Sequence, residues 1–372
     1  MGLTSNKVLM LAVVFAVALF AGTVWLWPRL ARQNWRAVGG RVGLLLATQV
    51  AVFASVGLAA NQAFGFYATW ADLFGQENGE GVVVDHIADG AGDPIRVVST
   101  SRVAGVSSGV PGVAGQIQKV DILGRTTRIA APAFVYLPPE YFQDRTRKFP
   151  VSVVLTGYPG TAQALVDKLH YPSTAQQLAK GGKMQPMILV MLRPAVAPPR
   201  DTECVDVPGG PKTETFFAKD LRDAVKDRYR VDATPASWGI IGDSTGGYCA
   251  LKIAMHHPRS YGAAVGLSPY YKAPIDATTG DLFHGDKNLR NRANLFWVLK
   301  HQSAPETSLL VTSSKIGEHN YKDTLRFIKN VQDTNVTRIS SIILPSGGHN
   351  FNTWRREIPA ALQWLSARLV SH

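Results

Sequence analysis

Residues 242–246 read Gly-Asp-Ser-Thr-Gly, a G-x-S-x-G pattern with Ser244 at its centre. A serine hydroxyl is a poor nucleophile until a base takes its proton, so the pattern matters only where a base can reach it. Flanking glycines suit a sharp strand-to-helix turn that lifts the hydroxyl above a sheet. The surroundings fit. ASWGIIGDS reads as a strand ending at the turn, and TGGYCALKIAMHH as a helix stopped by Pro258. The bland reading is a glycine-rich turn with an inert serine, so the choice rests on what else the chain supplies.

The expected base is His349, in PSGGHNFNTW, directly after the last apolar strand at 336–345. A loop at the carboxyl end of the strands is where sites in α/β folds gather. Among the other histidines, His256 and His257 close a helix, and His284 and His301 lie in polar stretches. A third group should orient the imidazole and stabilise its charged form. Glu318, in KIGEHNY after the strand SLLVTSS, is the natural candidate. Asp323 is the runner-up, but it falls in the first turn of a helix at 321–331, where a negative charge simply complements the helix dipole. The chain order Ser244, Glu318, His349 is the order of α/β hydrolases.

An oxyanion needs two backbone N–H groups. One should be that of Thr245, and the other should come from Thr156-Gly157-Tyr158-Pro159-Gly160. Pro159 has no N–H, which leaves Tyr158. Asp243 is a candidate for the substrate pocket. Asp201 and Glu203, in the loop 199–204, could bind substrate or merely be solvated, and solvation is the expectation. Cys204 and Cys249 lack CxxC spacing, so no metal is expected, and no cofactor. They could form one disulfide or remain free thiols; the sequence leaves both open.

The elements that must hold these residues alternate. IQKVDIL, RIAAPAFVYLP, FPVSVVLTGYPG, MQPMILVMLRP, YGAAVGLSPYY and VTRISSIILP read as further strands. ETFFAKDLRDAVKDRYRV has helical periodicity, and an amphipathic helix covers about 356–369. Apolar strands alternating with helices imply a mostly parallel sheet covered on both faces. Residues 69–116, rich in Gly, Val, Ser and Asp, read as a linker or lead-in, and 117–372 as the catalytic domain.

The first 68 residues differ in kind. Two uncharged apolar stretches, 8–27 and 42–60, are each long enough to cross a bilayer as a helix. Four arginines lie between them, and five basic residues precede the first acid, Asp72. The positive-inside rule places that loop in the cytoplasm and everything after residue 60 outside, at the plasma membrane. Phe64, Phe66, Tyr67, Trp70 and Phe74 would suit an interface belt. A cleaved signal peptide competes for the first stretch, but its core is long and ends in Trp and Pro rather than an A-x-A site. The net charge of +12 brings no basic run interleaved with aromatics, so nucleic acid is not an expected partner.

Residues 117–370 resemble the esterase family that includes esterase D (S-formylglutathione hydrolase) and the antigen-85 type mycolyltransferases. The matching residues are VVLTGYPG, GDSTGG, the Glu318 loop and HNFNTW. The resemblance implies an α/β-hydrolase fold, acyl-ester chemistry, and a triad of Ser244, Glu318 and His349. It also implies pocket roles for Phe351 and Trp354, the aromatics that follow the base. The acid and arginine that bind trehalose in the mycolyltransferases have no counterpart in the 156–161 loop. The expected activity is therefore an extracytoplasmic serine esterase acting on an acyl ester, with lipids and glycolipids as candidate substrates. The alternatives are an envelope acyltransferase with the same triad and a non-catalytic binding protein on the same fold.

Overall fold

The computed structural model describes residues 6–31, 34–64, 93–105, 109–198 and 200–370. The chain divides into two compact units, Met1–Val83 and Val84–His372.

The first unit holds two helices, α1 (Asn6–Leu26) and α2 (Trp35–Phe64). Both are long and apolar enough to cross a membrane. The second starts earlier than the apolar stretch 42–60, because Asn34 accepts the Ala37 N–H and opens the helix ahead of Arg36 and Arg41. The hydroxyls of Thr23 and Thr48 meet across the pair at 3.0 Å. Each is also tied to its own helix, at Leu19 O and Leu44 O, so neither hydroxyl is left bare. The aromatic belt expected at Phe66, Tyr67, Trp70 and Phe74, and residues 69–92 of the expected lead-in, lie outside the described residues.

The second unit is built on one nine-stranded sheet. Its strands are β1 (Ile95–Ser101), β2 (Gln116–Leu123), β3 (Ala130–Leu137), β4 (Val151–Leu155), β5 (Ile188–Leu192), β6 (Trp238–Asp243), β7 (Ala263–Leu267), β8 (Ser308–Ile316) and β9 (Arg338–Ser346). Their spatial order is β1-β2-β3-β5-β4-β6-β7-β8-β9. The first three pairings are antiparallel and the last five parallel. VSVVL, ILVML and AAVGL are buried at every position, as strands covered on both faces must be. Five helices supply the covers. On one face pack α4 (Leu221–Arg228), α5 (Thr245–His256) and α6 (Tyr321–Gln332), through Leu221, Tyr248, Leu251 and Phe327. On the other pack α3 (Tyr171–Lys180) and α7 (Phe351–Ser366), through Tyr171, Leu178, Ile358 and Leu365.

Three expectations are corrected. The lead-in 69–116 is not loose at its end: IRVVSTS forms β1, an edge strand paired with β2 and shifted in register between Val97 and Ser99. Its β-branched residues favour the pleat over the glycine-rich flanks. The helix expected through 214–231 runs from Thr213 to Arg228 and contains a wide π-turn, Phe216–Asp220. That turn carries Asp220, whose carboxylate accepts the N–H groups of Thr126 and Thr127. The last helix starts at Phe351 rather than near 356, because Asn350 caps it by accepting from Asn352 N and Thr353 N.

Candidate active site

Strands β4, β6, β8 and β9 run parallel, so their carboxyl ends lie along one edge of the sheet. Ser244, Glu318 and His349 follow those ends. After β6 the chain turns at Ser244 with φ 53° and ψ −118°, a conformation that strains any residue with a side chain. Two glycines make the turn possible. A Cβ on Gly242 would lie 2.4 Å from the Gly246 carbonyl, and one on Gly246 would lie 2.4 Å from Leu155 O. The Ser244 N–H donates to Leu267 O at 2.9 Å, which fastens the turn to β7.

His349 follows β9. Its Nε2 lies 2.8 Å from Ser244 Oγ, and its Nδ1 lies 3.3 Å from Glu318 Oε2. An ionised carboxylate only accepts, so Nδ1 carries the hydrogen and the Nε2 lone pair faces the serine hydroxyl. The Glu318 side chain is 2% exposed and the His349 side chain 45%. The two loops are joined where Gly347 N–H donates to Ile316 O at 3.0 Å. Asp323 sits in the first turn of α6 and pairs with Arg326, away from the imidazole.

The oxyanion side is held by Asp243. Its carboxyl is buried, and its Oδ2 accepts the Gly157 N–H at 2.8 Å. That N–H is therefore committed to Asp243, and Tyr158 is the next residue along the loop. Burial pushes the Asp243 carboxyl up to about 7, against the opposing pull of the Gly157 N–H and the His349 charge. Thr245 is the first residue of α5, where N–H groups have no acceptor within the helix. Asp243, proposed above for the substrate pocket, is thus buried and hydrogen-bonded to the loop after β4.

The structure also moves other candidates. Asp201 and Glu203 are not solvated: each is 2% exposed. Both Glu203 oxygens accept from the Tyr270 hydroxyl, at 2.7 and 2.6 Å, and Tyr270 in turn hydrogen-bonds the Thr245 side chain. Burial, and then the Asp201 charge, push Glu203 up to about 8; burial, and then the Asp276 charge, push Asp201 up to about 6 against the pull of the Glu203 N–H. Cys204 and Cys249 form a disulfide with their Cα atoms 5.7 Å apart, which closes the choice left open above. Phe351 and Trp354 are buried and pack on each other and behind the base, with the Trp354 ring edge-on to His349 at 5.1 Å. Trp354 thus packs against the imidazole, and Phe351 packs against Trp354. Among the described residues, no group of three or more His, Cys, Asp or Glu could hold a metal ion.

A family model described as "Putative esterase" matches residues 126–365, more than half of the chain. The chain belongs to this esterase family. A curated relative, an uncharacterized protein of Corynebacterium glutamicum, is 24% identical over 246 residues, which are 64% of this chain and 58% of that protein. The chain thus spans less than two thirds of that relative's length. Among solved structures, a ferulic acid esterase superposes with a TM-score of 0.60 at 18% identity, over 68% of this chain and 99% of its own. An S-formylglutathione hydrolase from Agrobacterium tumefaciens gives 0.58 at 16% identity, over 74% and 100%. At such identities the likeness is one of fold.

Sequence reasoning missed the residues that brace the site. Ser268 and Tyr270 follow the strand AAVGL and Thr312 lies inside SLLVTSS, strands already legible in the sequence. The only local signal was the Ser-Pro pair after the strand AAVGL, a turn marker with no chemistry of its own.

Proposed function

We propose that the protein is a membrane-anchored serine esterase that cleaves carboxylic esters through an acyl-enzyme on Ser244. The observation that carries this reading is the run of contacts from Ser244 Oγ to His349 Nε2 (2.8 Å) and from His349 Nδ1 to Glu318 (3.3 Å). In this mechanism His349 takes the Ser244 proton as Oγ attacks the ester carbonyl. Glu318 holds the imidazole in the right tautomer and stabilises its cation. The N–H groups of Thr245 and Tyr158 receive the negative charge that develops on the carbonyl oxygen. His349 then protonates the leaving alcohol, and water repeats the sequence to release the acid. The exposure of the His349 side chain lets water reach it, which favours hydrolysis over transfer to a sugar or lipid hydroxyl.

The membrane reading rests on the two long apolar helices and the arginines between them. The Cys204–Cys249 disulfide supports a catalytic unit on the oxidising side, since cytosolic thiols are kept reduced. A fluorophosphonate probe on detergent-solubilised protein tests the chemistry. Wild type should be labelled at Ser244, and Ser244→Ala should lose both labelling and hydrolysis of p-nitrophenyl acetate by at least about a thousandfold. Label on another serine, or an active Ser244→Ala, would defeat the assignment. A C-terminal alkaline phosphatase fusion should be active if the unit faces outward.

A further inference from the structure

We propose that Ser268 is a positioning residue for Glu318: its hydroxyl fixes the carboxyl that orients His349. The inference rests on the esterase reading above and assigns a task to a residue that touches neither Ser244 nor His349.

Ser268 follows β7 directly and is 1% exposed. Its φ is +45°, in the left-handed region that a side chain disfavours. Such strain persists only where the surroundings over-determine the residue, and here three hydrogen bonds do so. The backbone N–H donates to Thr312 Oγ1 at 3.0 Å. The hydroxyl donates to Glu318 Oε1 at 2.7 Å and accepts from Trp354 Nε1 at 3.0 Å.

The proton directions are forced. An indole nitrogen only donates, so Ser268 Oγ must accept from Trp354 and spend its single proton on Glu318. Thr312 spends its own proton on Glu357 Oε2, at 2.7 Å, so it must accept the Ser268 N–H. One Glu318 oxygen is thereby pinned, and the other faces His349. The same Trp354 that holds the Ser268 hydroxyl stands edge-on to the His349 ring. One buried hydroxyl thus joins the acid to the indole behind the base. Among the small residues, alanine and glycine lack that hydroxyl, and threonine would bring a β-branched side chain to a positive φ.

The test compares Ser268→Ala with Ser268→Gly in the full chain, with p-nitrophenyl acetate as substrate. Both lack the hydroxyl, but only glycine relieves the positive φ. Both should lose kcat by a similar factor, on the order of ten- to a hundredfold, with KM within about twofold of wild type. The glycine variant should nevertheless melt higher than the alanine variant. A role in folding alone predicts something else: activity that follows melting temperature, or a glycine variant with wild-type kcat. Either result overturns the inference. If neither variant folds, Trp354→Phe decides. It removes the donor to Ser268 and keeps a smaller aromatic ring at that position, so a lower kcat at unchanged KM and near-wild-type melting temperature supports the proposal and an unchanged kcat refutes it. A wild-type protein that the fluorophosphonate leaves unlabelled defeats the esterase reading itself. A labelled, active wild type with unimpaired Ser268 variants defeats this inference alone.

Discussion

The two ends of helix α5 treat buried carboxyls in opposite ways. At the far end, Lys252, His256 and His257 converge on Glu214. Lys252 Nζ lies 2.6 Å from its Oε2, and both imidazoles lie 2.9 Å from its Oε1. Burial by itself would raise the Glu214 carboxyl, but the Lys252 ammonium and the two histidine bonds hold it well below the usual range. At the Ser244 end the acids are as deeply buried, yet hydroxyls and backbone N–H groups hold them. Glu203 has Tyr270 and Asp243 has Gly157 N–H, and both are pushed up to neutrality or above. Burial is common to both ends, so the partner decides whether the charge survives. The helix dipole favours anions at the Ser244 end, and it does not prevail against desolvation there.

The sharpest way to break this contrast is to remove the cation at the far end. Lys252→Met leaves Glu214 buried without its closest charge, and the Lys252 ammonium also donates to Cys204 O at 2.6 Å. Losing one partner of a buried pair costs about 3–5 kcal/mol, so the variant should melt roughly 10 °C lower by calorimetry. A loss under about 1 kcal/mol would mean that the histidines and Arg292 already suffice for Glu214. The disulfide comes next, because it ties the Glu203 loop to the middle of the same helix. Cys204→Ala with Cys249→Ala opens a loop of 45 residues and should cost about 2–4 kcal/mol in denaturant. Reductant should lower the wild type equally and leave the double variant unmoved.

Much of this contrast could not be read ahead of the fold. The strands were legible because VSVVL, ILVML and AAVGL are short apolar runs bounded by turn residues. Ser244, Glu318 and His349 were legible because strand ends place them and chain order sorts them. The acids Asp201 and Glu203 read as solvated because nothing local announces burial. Their environment comes from Tyr270, 67 residues beyond Glu203, and from a disulfide to Cys249. Asp243 and Trp354 were found by position, but their hydrogen-bond partners were not. A residue beside a nucleophile can face the substrate or the scaffold, and only the Gly157 N–H and the Ser268 hydroxyl show which. β1 was lost because its seven residues sit beyond a glycine-rich stretch and pair at the sheet edge.

The smallest effect concerns Glu357, the fully buried acid behind Glu318. Burial, and then the Glu318 charge, push its carboxyl up to about 8, with the Thr312 bond and Arg356 pulling the other way. Between the ordinary carboxylate range and pH 8, the folded chain therefore holds a proton that the unfolded chain has released. Stability falls as pH rises through that window, because the unfolded state binds fewer protons. Below the window both states are protonated and nothing is lost; above it the folded chain carries the full burden of a buried anion. Glu357→Gln removes the titration and keeps an acceptor for the Thr312 hydroxyl. Its melting temperature should lie near that of wild type at pH 5, and the gap should widen in its favour by pH 9. The difference should reach about 1–2 kcal/mol, well short of the full value of the shift, because relaxation and water penetration relieve part of a buried anion's cost. A gap that stays constant with pH would mean that Glu357 is ionised throughout, and that the Ser244 end handles its acids as the Glu214 end does.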